Sequence, residues 1–367
     1  MLAFAEGTSC TITDPPLADS YRALLCRGEL KGGGAAPAHA VESLAMLDHD
    51  LPFIDMKHLA SRDARESKAC AEAMARAASE WGFFQVVNHG VGRELLEEMR
   101  REQARLFRLP FGTKDKAGLL NGSYRWGNPT ATSLGQLSWS ESFHVPLPSI
   151  SREDCDYRKL STLRGVMQEV ADAMSRVADK VAGTLAENLG HEAGGGESAF
   201  PAGCDGTTCF LRLNRYPACP FAADSLGMVP HTDSDFLTIL CQDQVGGLQL
   251  IKDSRWVAVK PHADALIVNV GDLFQAWSNN RYKSVEHKVA ANSKAERFSV
   301  AYFLCPSSDS PVGTCGEPSP YKPFTFGEYR RSVQDDVERT GKKIGLPNFL
   351  KRSTVHGFHD DTMDLSS

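Results

Sequence analysis

Hydrophobic residues follow a helical spacing in the first half of the chain and a strand-like spacing in the second. Between residues 156 and 189 the apolar positions recur every three or four residues, and a glycine follows at 190, where a helix C-cap favours a positive φ. Two shorter segments, the Ala-rich 61–81 and 94–109, are also predicted to be helices. Short strands are predicted over LPFID (51–55) and FFQVV (83–87), which ends at Asn-His-Gly.

The pattern changes to short β-rich runs between residues 207 and 306. Each run is interrupted by Gly, Asp, Asn or Pro, and GLQLIKDSRWVAV is predicted to be a hairpin that turns at 252–255. A last helix is predicted at 326–339. Helices followed by many short strands indicate an α+β protein whose second half is a sandwich or a barrel.

The same patterns divide the chain into four regions. We expect a leader with a flexible Gly/Ala linker (1–45), a helical region (50–200), a β core (205–310) and a C-terminal helix and tail (311–367). The linker KGGGAAPAHA (31–40) and residues 1–13 are expected to be disordered, and the Gly- and Ala-rich loop 191–208 is left without a predicted conformation.

One strand-like stretch, PHTDSDFLTIL (230–240), places His231, Asp233 and Asp235 at alternate positions. On a strand these side chains share a face, with Cα atoms about 6.5 Å apart. An imidazole and a carboxylate from one strand, joined by a distant histidine, form a facial triad that leaves positions open on Fe(II). His287 in YKSVEHKV is the candidate third ligand because alternation places Glu286 on the opposite face. The spacing leaves open which aspartate is the ligand.

A second His-x-Asp motif, His262-Ala263-Asp264, has no metal role in this interpretation. It follows Lys260-Pro261 and precedes the apolar run ALIVNV, which indicates a turn between strands.

Two further strands present polar faces. Arg297, Ser299, Ala301 and Phe303 alternate in RFSVAYF, and a guanidinium near a hydroxyl is suited to binding a small dicarboxylate. In LRLNRYP the polar face consists of Arg212, Asn214 and Tyr216. A polar face inside a barrel is typical of a binding site.

In combination these motifs resemble the plant 2-oxoglutarate and Fe(II)-dependent dioxygenases. The resemblance rests on NHG, NRYP, HTD, a histidine 54 positions after its aspartate and RFS ten positions further on, and it extends from about residue 52 to 347. SYRWGNPTATSLGQLSWSESFHVPL, HTDSDFLTIL, QVGGLQL and RFSVAYFLCPS resemble gibberellin 2-oxidases, particularly the class acting on C20 gibberellins.

The resemblance implies a double-stranded β-helix (jelly roll, cupin-like) core flanked by N-terminal helices and a C-terminal helix. It implies Fe(II) as metal, 2-oxoglutarate and O2 as co-substrates, ascorbate as a reductant in vitro, and 2β-hydroxylation of gibberellins with release of succinate and CO2. The implied residues are His231, Asp233 and His287 for iron, and Arg297, Ser299, Tyr216 and Asn214 for 2-oxoglutarate. Asp235 is then assigned to a role beside the metal or in the pocket wall.

A gibberellin is a rigid apolar diterpenoid with a carboxylate, so its pocket requires aromatic walls and a cation. The stretch 124–143 supplies this chemistry, with Arg125 as the carboxylate partner and Phe303 as the pocket floor; Arg212 is a rival cation. The predicted aromatic wall consists of Tyr124, Trp126, Trp139 and Phe143. Packing under a long loop is the alternative role for Trp126, Trp139 and Phe143.

Composition narrows the class of protein. The 367 residues carry a net charge of -6, which gives no basic field for nucleic acid or an anionic membrane. Ten scattered cysteines without a CxxC pair favour a reducing compartment, and neither a signal peptide nor a membrane span is recognisable, so a cytoplasmic protein is expected. Three alternatives remain: another oxygenase of the same superfamily, a zinc hydrolase with the same ligands, and a non-catalytic ligand-binding barrel.

Overall fold

A computed structural model of the chain describes residues 13–30, 48–116, 119–128, 131, 133, 136–153, 155–157, 160–191, 204, 206–221 and 225–351. The linker 31–40, residues 1–12 and most of the loop 191–208 therefore lie outside the described residues. The helices are α1 (Leu17–Leu30), α2 (Ala64–Glu80), α3 (Arg93–Phe107), α4 (Phe111–Lys116), α5 (Leu147–Ile150), α6 (Ser161–Glu187), α7 (Asp272–Trp277) and α8 (Phe326–Thr340).

The strands form two large sheets and one small one. In chain order the strands are β1 (Asp48–His49), β2 (Phe53–Asp55), β3 (Phe83–Val87), β4 (Tyr124–Trp126), β5 (Glu141–Pro146), β6 (Phe210–Tyr216), β7 (Leu226–His231), β8 (Leu237–Gln242), β9 (Leu248–Lys252), β10 (Arg255–Val259), β11 (Leu266–Val270), β12 (His287–Ala290), β13 (Arg297–Leu304), β14 (Pro311–Val312) and β15 (Phe324–Thr325). The eight-stranded sheet has the order β2-β3-β11-β8-β13-β6-β5-β4, and the five-stranded sheet has the order β1-β10-β9-β12-β7. Strands β14 and β15 pair separately.

The inner faces of the two large sheets pack against each other. Leu248, Leu250 and Val289 of the five-stranded sheet share a buried cluster with Tyr216 and Ile267 of the eight-stranded sheet. Aliphatic side chains are buried between two largely antiparallel sheets, and this arrangement is the jelly-roll core that the resemblance implied. The functional site lies where polar side chains replace the apolar ones on these inner faces.

The long helix α6 supports the outer side of the eight-stranded sheet. Its predicted apolar face is buried throughout and shares one core with Ile239 of β8 and Tyr302 of β13. Gly190 has a φ of +86°, as expected for a residue that ends a helix. Within the described residues, no helix is both long enough and apolar enough to cross a membrane.

Most of the predicted strands are confirmed, including the β9–β10 hairpin, in which Arg255 pairs with Lys252. Two boundaries were wrong. Strand β7 ends at His231, so Asp233 and Asp235 lie on a turn rather than on the same strand. Strand β12 begins only at His287, and Tyr282 lies outside it, where its hydroxyl donates to the carbonyl of Leu185 on α6.

Helix α1 was not predicted within the leader. Its Tyr21 packs between two aromatic rings, at 5.2 Å from the ring centroid of Trp139 and 5.0 Å from that of Phe221. Part of the leader is thus bound to the body of the protein.

Candidate active site

Two histidines face each other across neighbouring strands of the five-stranded sheet. His287 of β12 pairs directly with His231 of β7, and their ring centroids are 4.3 Å apart. Each Nδ1 is bound to the carbonyl of the residue two positions earlier, at 2.8 Å for His231 and 3.1 Å for His287. Because an Nδ1–H that donates to a carbonyl leaves Nε2 unprotonated, both Nε2 atoms are suited to bind a metal.

Asp233 completes the group from the turn that follows β7. Its Oδ1 is 3.6 Å from Nε2 of His231 and 3.8 Å from Nε2 of His287. Its Oδ2 accepts hydrogen bonds of 2.6 Å from Thr238 Oγ1 and from Asn269 Nδ2. One carboxylate oxygen is thus fixed by the protein, and the other faces the two imidazoles.

The three ligand atoms lie within 4.8 Å of one another. Two imidazoles and one carboxylate are the donor set of a facial triad, and such a set binds Fe(II) with open positions for other ligands. The residues present therefore fit a mononuclear non-haem iron site.

Electrostatics separate the two aspartates of the turn. Burial alone would raise the pKa of Asp233, but the two histidines and the hydrogen bonds from Thr238 and Asn269 outweigh it and hold this pKa at about 2. Burial, and then the charge of Asp233, raise the pKa of Asp235 well above its usual range. Since a metal ligand must be deprotonated, Asp233 is the better ligand.

Asp235 is instead packed beneath the turn. It is 1% exposed, and its Oδ2 is 2.8 Å from Thr238 Oγ1, the same hydroxyl that reaches Asp233. Gly271 lies so close that a Cβ there would be 2.1 Å from Asp235 Oδ1. Asp235 thus lies beneath the turn and also lines the cavity.

Arg297 lies in the same cavity, on β13 of the opposite sheet. Its side chain is among the largest fully buried ones, and its guanidinium carbon lies 4.9 Å from the ring centroid of Tyr216. Nη2 donates to Gln242 Oε1 at 2.7 Å, whereas Nε and Nη1 have no hydrogen-bond partner among the described residues. A buried cation with two unpartnered donors is suited to an incoming carboxylate.

The other residues predicted to bind 2-oxoglutarate surround this guanidinium. Ser299, Asn214 and Tyr216 all line the cavity, and Asn214 Nδ2 donates to Ser299 Oγ at 3.3 Å. Buried Gln103 of α3 binds the backbone carbonyls of Asn214 and Ser299 at 3.0 and 2.8 Å, which joins β6 to β13 from the opposite side. The alternation predicted for these strands therefore places all four residues in one cavity.

The cavity continues from the metal-binding group to an aromatic end. Its volume is about 300 Å³. Phe210 and Phe303 stack with centroids 4.3 Å apart, and Phe326 of α8 also lines this end. Phe303 is the one residue of the predicted substrate set, apart from Asp235, that lines the cavity.

Basic side chains surround the aromatic end. Arg212 of β6 and Arg330 of α8 line it, and Arg330 lies with its guanidinium carbon 5.6 Å from the ring centroid of Phe326. His144 stacks on Phe210 at 4.0 Å. Burial, followed by the charges of Arg212 and Arg330, lowers the pKa of His144 to about 4, so this ring is neutral at pH 7.

The structure does not bring the aromatic residues of 124–143 to this cavity. Because β5 pairs with β6, Phe143 lies opposite Leu213 and shares its core-facing side, whereas His144 lies opposite Arg212 and faces the cavity. Tyr124 pairs with Phe143 on the core side, and its hydroxyl donates a hydrogen bond of 2.5 Å to Glu141 Oε2. Both aromatic rings therefore belong to the core behind the sheet. For Phe143 this is a packing role, which was the alternative to a place in the pocket wall.

The remaining members of that set are also engaged elsewhere. Trp126 packs edge-on against Phe111, and Trp139 packs on α1. Arg125 is exposed near the sheet edge, where its Nη1 donates to the carbonyls of Gly122 and Tyr124 at 2.9 and 2.6 Å. Arg125 therefore lies outside the cavity and is not placed to bind a substrate there.

Several site residues were not identified from the sequence. Thr238, Asn269 and Gln242 fix Asp233 and Arg297, and each lies on a predicted strand, but no spacing shows which strands become neighbours. Phe326 and Arg330 are four residues apart on a predicted helix, so their shared face could have been recognised. Their proximity to the metal group depends on the path of the chain after β13.

The jelly-roll core, the His-Asp-His group and the buried arginine are features of a non-haem oxygenase. This chain belongs to the plant 2-oxoglutarate and Fe(II)-dependent dioxygenases. The model of the 2OG-Fe(II) oxygenase superfamily matches residues 207–306, and that of the N-terminal region of non-haem dioxygenases in morphine synthesis matches residues 51–174. Members of this superfamily use Fe(II), 2-oxoglutarate and O2.

Within this family the chain is 74% identical over 361 residues to gibberellin 2-beta-dioxygenase 6 of Oryza sativa subsp. japonica, covering 97% of this chain and 100% of that protein. It is 49% identical over 341 residues to gibberellin 2-beta-dioxygenase 8 of Arabidopsis thaliana, covering 92% and 98%. Among solved structures, JOX2 in complex with 2OG, Fe and JA aligns with a TM-score of 0.69 and 31% identity, covering 90% of this chain and 97% of that one.

Proposed function

We propose that the protein 2β-hydroxylates gibberellins, thereby inactivating them, in a reaction that consumes 2-oxoglutarate and O2 and releases succinate and CO2. The observation that carries this proposal is a single cavity that joins the His-Asp-His group, the buried guanidinium of Arg297 and an aromatic end with cations. The identity of the substrate is supported by the gibberellin 2-beta-dioxygenases among the relatives.

In this proposal His231, Asp233 and His287 hold the iron, which supplies the activation of O2 when bound. Arg297 pairs with the distal carboxylate of 2-oxoglutarate, and Ser299 donates its hydroxyl to the same group. The guanidinium of Arg297 lies over the ring of Tyr216, and Asn214 Nδ2 donates to the Ser299 hydroxyl. The protein thus contributes orientation and the exclusion of water at a buried charge.

The substrate lies at the aromatic end in this proposal. Phe210, Phe303 and Phe326 contact the apolar rings of a gibberellin, and Arg330 at the cavity mouth pairs with a carboxylate. Arg212 supplies a second guanidinium. A C20 gibberellin whose lactone has not closed carries two carboxylates, so two arginines favour C20 precursors over C19 gibberellins, which carry fewer.

The test is incubation with Fe(II), ascorbate, 2-oxoglutarate and a panel of C19 and C20 gibberellins, with products identified by mass spectrometry and NMR. We expect C20 gibberellins to gain one oxygen at the 2β position. Product oxidised at another carbon would assign a different oxygenase activity to the same cavity, and the absence of gibberellin-dependent succinate would refute the proposal.

Arginine variants test the substrate end separately. Arg330→Met removes the cation at the mouth, and we expect a higher KM for the gibberellin with an unchanged KM for 2-oxoglutarate. The matched control is Arg331→Met, which removes an exposed guanidinium on the same helix that does not line the cavity. Equal KM values for the gibberellin in both variants would contradict the assignment of Arg330.

We also propose a cytoplasmic location, supported by ten cysteines that are scattered without a CxxC pair. A fluorescent fusion found inside a secretory compartment would contradict it.

A further inference from the structure

The turn that carries Asp233 is attached to helix α7. The backbone N–H of Asp272 donates to the carbonyl of Asp233 at 2.9 Å, and that of Leu273 donates to the carbonyl of Asp235 at 3.0 Å. The first turn of α7 thus binds the backbone at both aspartates. The position of the ligand carboxylate therefore depends on the position of Asp272.

The side chain of Asp272 is in turn bound by the C-terminal part of the chain. Its Oδ2 lies 2.6 Å from Lys343 Nζ, accepts a hydrogen bond from Thr232 Oγ1 at 3.1 Å, and also accepts one from the hydroxyl of Tyr329 on α8. Lys343 Nζ donates further to Thr232 O at 2.9 Å and to Ser234 Oγ at 2.8 Å. One ammonium group therefore contacts both neighbours of Asp233 in the sequence.

This network is buried and closely packed. Asp272 is 4% and Tyr329 0% exposed, and the side chain of Lys343 is 12% exposed. Gly345 has a φ of +74°, and a Cβ there would lie 2.9 Å from Tyr329 Oη and 3.2 Å from Asp272 Oδ2. The chain passes so near the ion pair that a glycine is required at this position.

We propose that Lys343 and Tyr329 are positioning residues for the metal centre, acting through Asp272, Thr232 and Ser234 on the turn that presents Asp233. This inference rests on the proposed iron site. Residues that orient a metal ligand commonly change metal affinity by about 10- to 100-fold when they are removed. Tyr329 precedes Arg330, so the same helix also carries the proposed substrate cation.

The experiment measures binding of Mn(II) by titration calorimetry, independently of turnover. Lys343→Met is expected to weaken Mn(II) binding by about 10- to 100-fold. Lys343→Arg is expected to recover part of this affinity because it keeps a cation near Asp272. Tyr329→Phe retains the ring and removes only the hydroxyl, so it tests the network if Lys343→Met does not fold; a smaller loss of affinity is expected.

The matched control is Asn348→Ala. Asn348 Nδ2 donates to Asp336 at 3.1 and 2.9 Å and to Ser332, which joins the same C-terminal segment to α8, and these side-chain hydrogen bonds do not reach the turn. We expect this variant to lower the melting temperature while its Mn(II) affinity stays that of the wild type.

Two results would overturn the inference. The first is wild-type Mn(II) affinity in either folded Lys343→Met or Tyr329→Phe. The second is a loss of affinity in Asn348→Ala as large as that in Lys343→Met. Failure of the proposed iron site is distinguishable, because the wild-type protein itself would then bind no Mn(II). Failure of gibberellin hydroxylation alone would leave Mn(II) binding by the wild type intact.

Discussion

Replacing Arg297 by methionine is expected to weaken co-substrate binding strongly while leaving the stability of the free protein nearly unchanged. Nε and Nη1 of this guanidinium have no partner among the described residues, and in the proposed function both donate charge-assisted hydrogen bonds to 2-oxoglutarate. Removing one member of a buried, hydrogen-bonded charge pair costs about 2–5 kcal/mol of binding free energy. At about 1.4 kcal/mol per factor of ten, the affinity for 2-oxoglutarate falls by roughly 30- to 4,000-fold.

The free protein is expected to tolerate the same change. Arg297→Met removes a buried charge that is incompletely paired, which is favourable, and leaves Gln242 without its 2.7 Å partner, which costs about 1 kcal/mol. These effects offset each other, and we expect the free energy of unfolding to stay within about 1 kcal/mol of the wild type. Arg297→Lys keeps the charge but loses the two-pronged geometry, so its affinity is intermediate.

Arg215→Met on the neighbouring strand is the matched control. This guanidinium is satisfied by Glu141 and Asp14 at 2.8 Å and by Glu296 at 2.9 Å, so its removal breaks ion pairs that already exist in the free protein. We expect a loss of about 3 kcal/mol of stability with unchanged 2-oxoglutarate affinity.

The assays are calorimetric titration of the Mn(II)-loaded protein with 2-oxoglutarate, and urea denaturation of the free protein. Unchanged 2-oxoglutarate affinity in Arg297→Met, or a stability loss as large as that of Arg215→Met, would refute the reasoning.

Three further predictions concern other parts of the molecule. Asp233→Ala should abolish Mn(II) binding measured by calorimetry, whereas Asp235→Asn should retain it. Equal loss in both variants would contradict the assignment of the ligand. The free energy of unfolding should fall as the pH drops from about 6.5 towards about 4, because in this window the unfolded chain protonates His144 and the folded chain does not. His144→Phe should remove on the order of 2 kcal/mol of this pH dependence, measured by urea denaturation at several pH values. An unchanged dependence on pH in this variant would contradict the assigned cause. Tyr21→Ala should cost about 3 kcal/mol by removing the ring between Trp139 and Phe221, measured by urea denaturation, with wild-type stability as the contradicting result.

The amino-acid pattern predicted those parts of the site that lie on one strand. Alternation placed Arg297 and Ser299 on one face of β13, and Asn214 and Tyr216 on one face of β6, and the structure places all four in one cavity. It could not decide between Asp233 and Asp235. That difference arises from His287 and Asn269, which come from two other strands.

The aromatic residues predicted from 124–143 do not line the cavity, and the reason is physical. Phe143 and His144 are adjacent, and either could have faced the cavity; the register of β5 against β6 makes His144 the inward residue. Arg330 joins the cavity from a helix more than a hundred residues after Arg212, and no local pattern relates the two. The composition of the aromatic stretch is compatible with a pocket wall and equally with a core.

The most direct test of the central claim follows oxygen from gas to product. The Fe(II)-loaded protein is incubated with 2-oxoglutarate, a C20 gibberellin and isotopically labelled O2, and both succinate and gibberellin are measured by mass spectrometry. We predict one labelled oxygen in the gibberellin for each succinate formed, and loss of both products in Asp233→Ala. Hydroxylated gibberellin without succinate, or succinate that forms equally without gibberellin, would contradict the account.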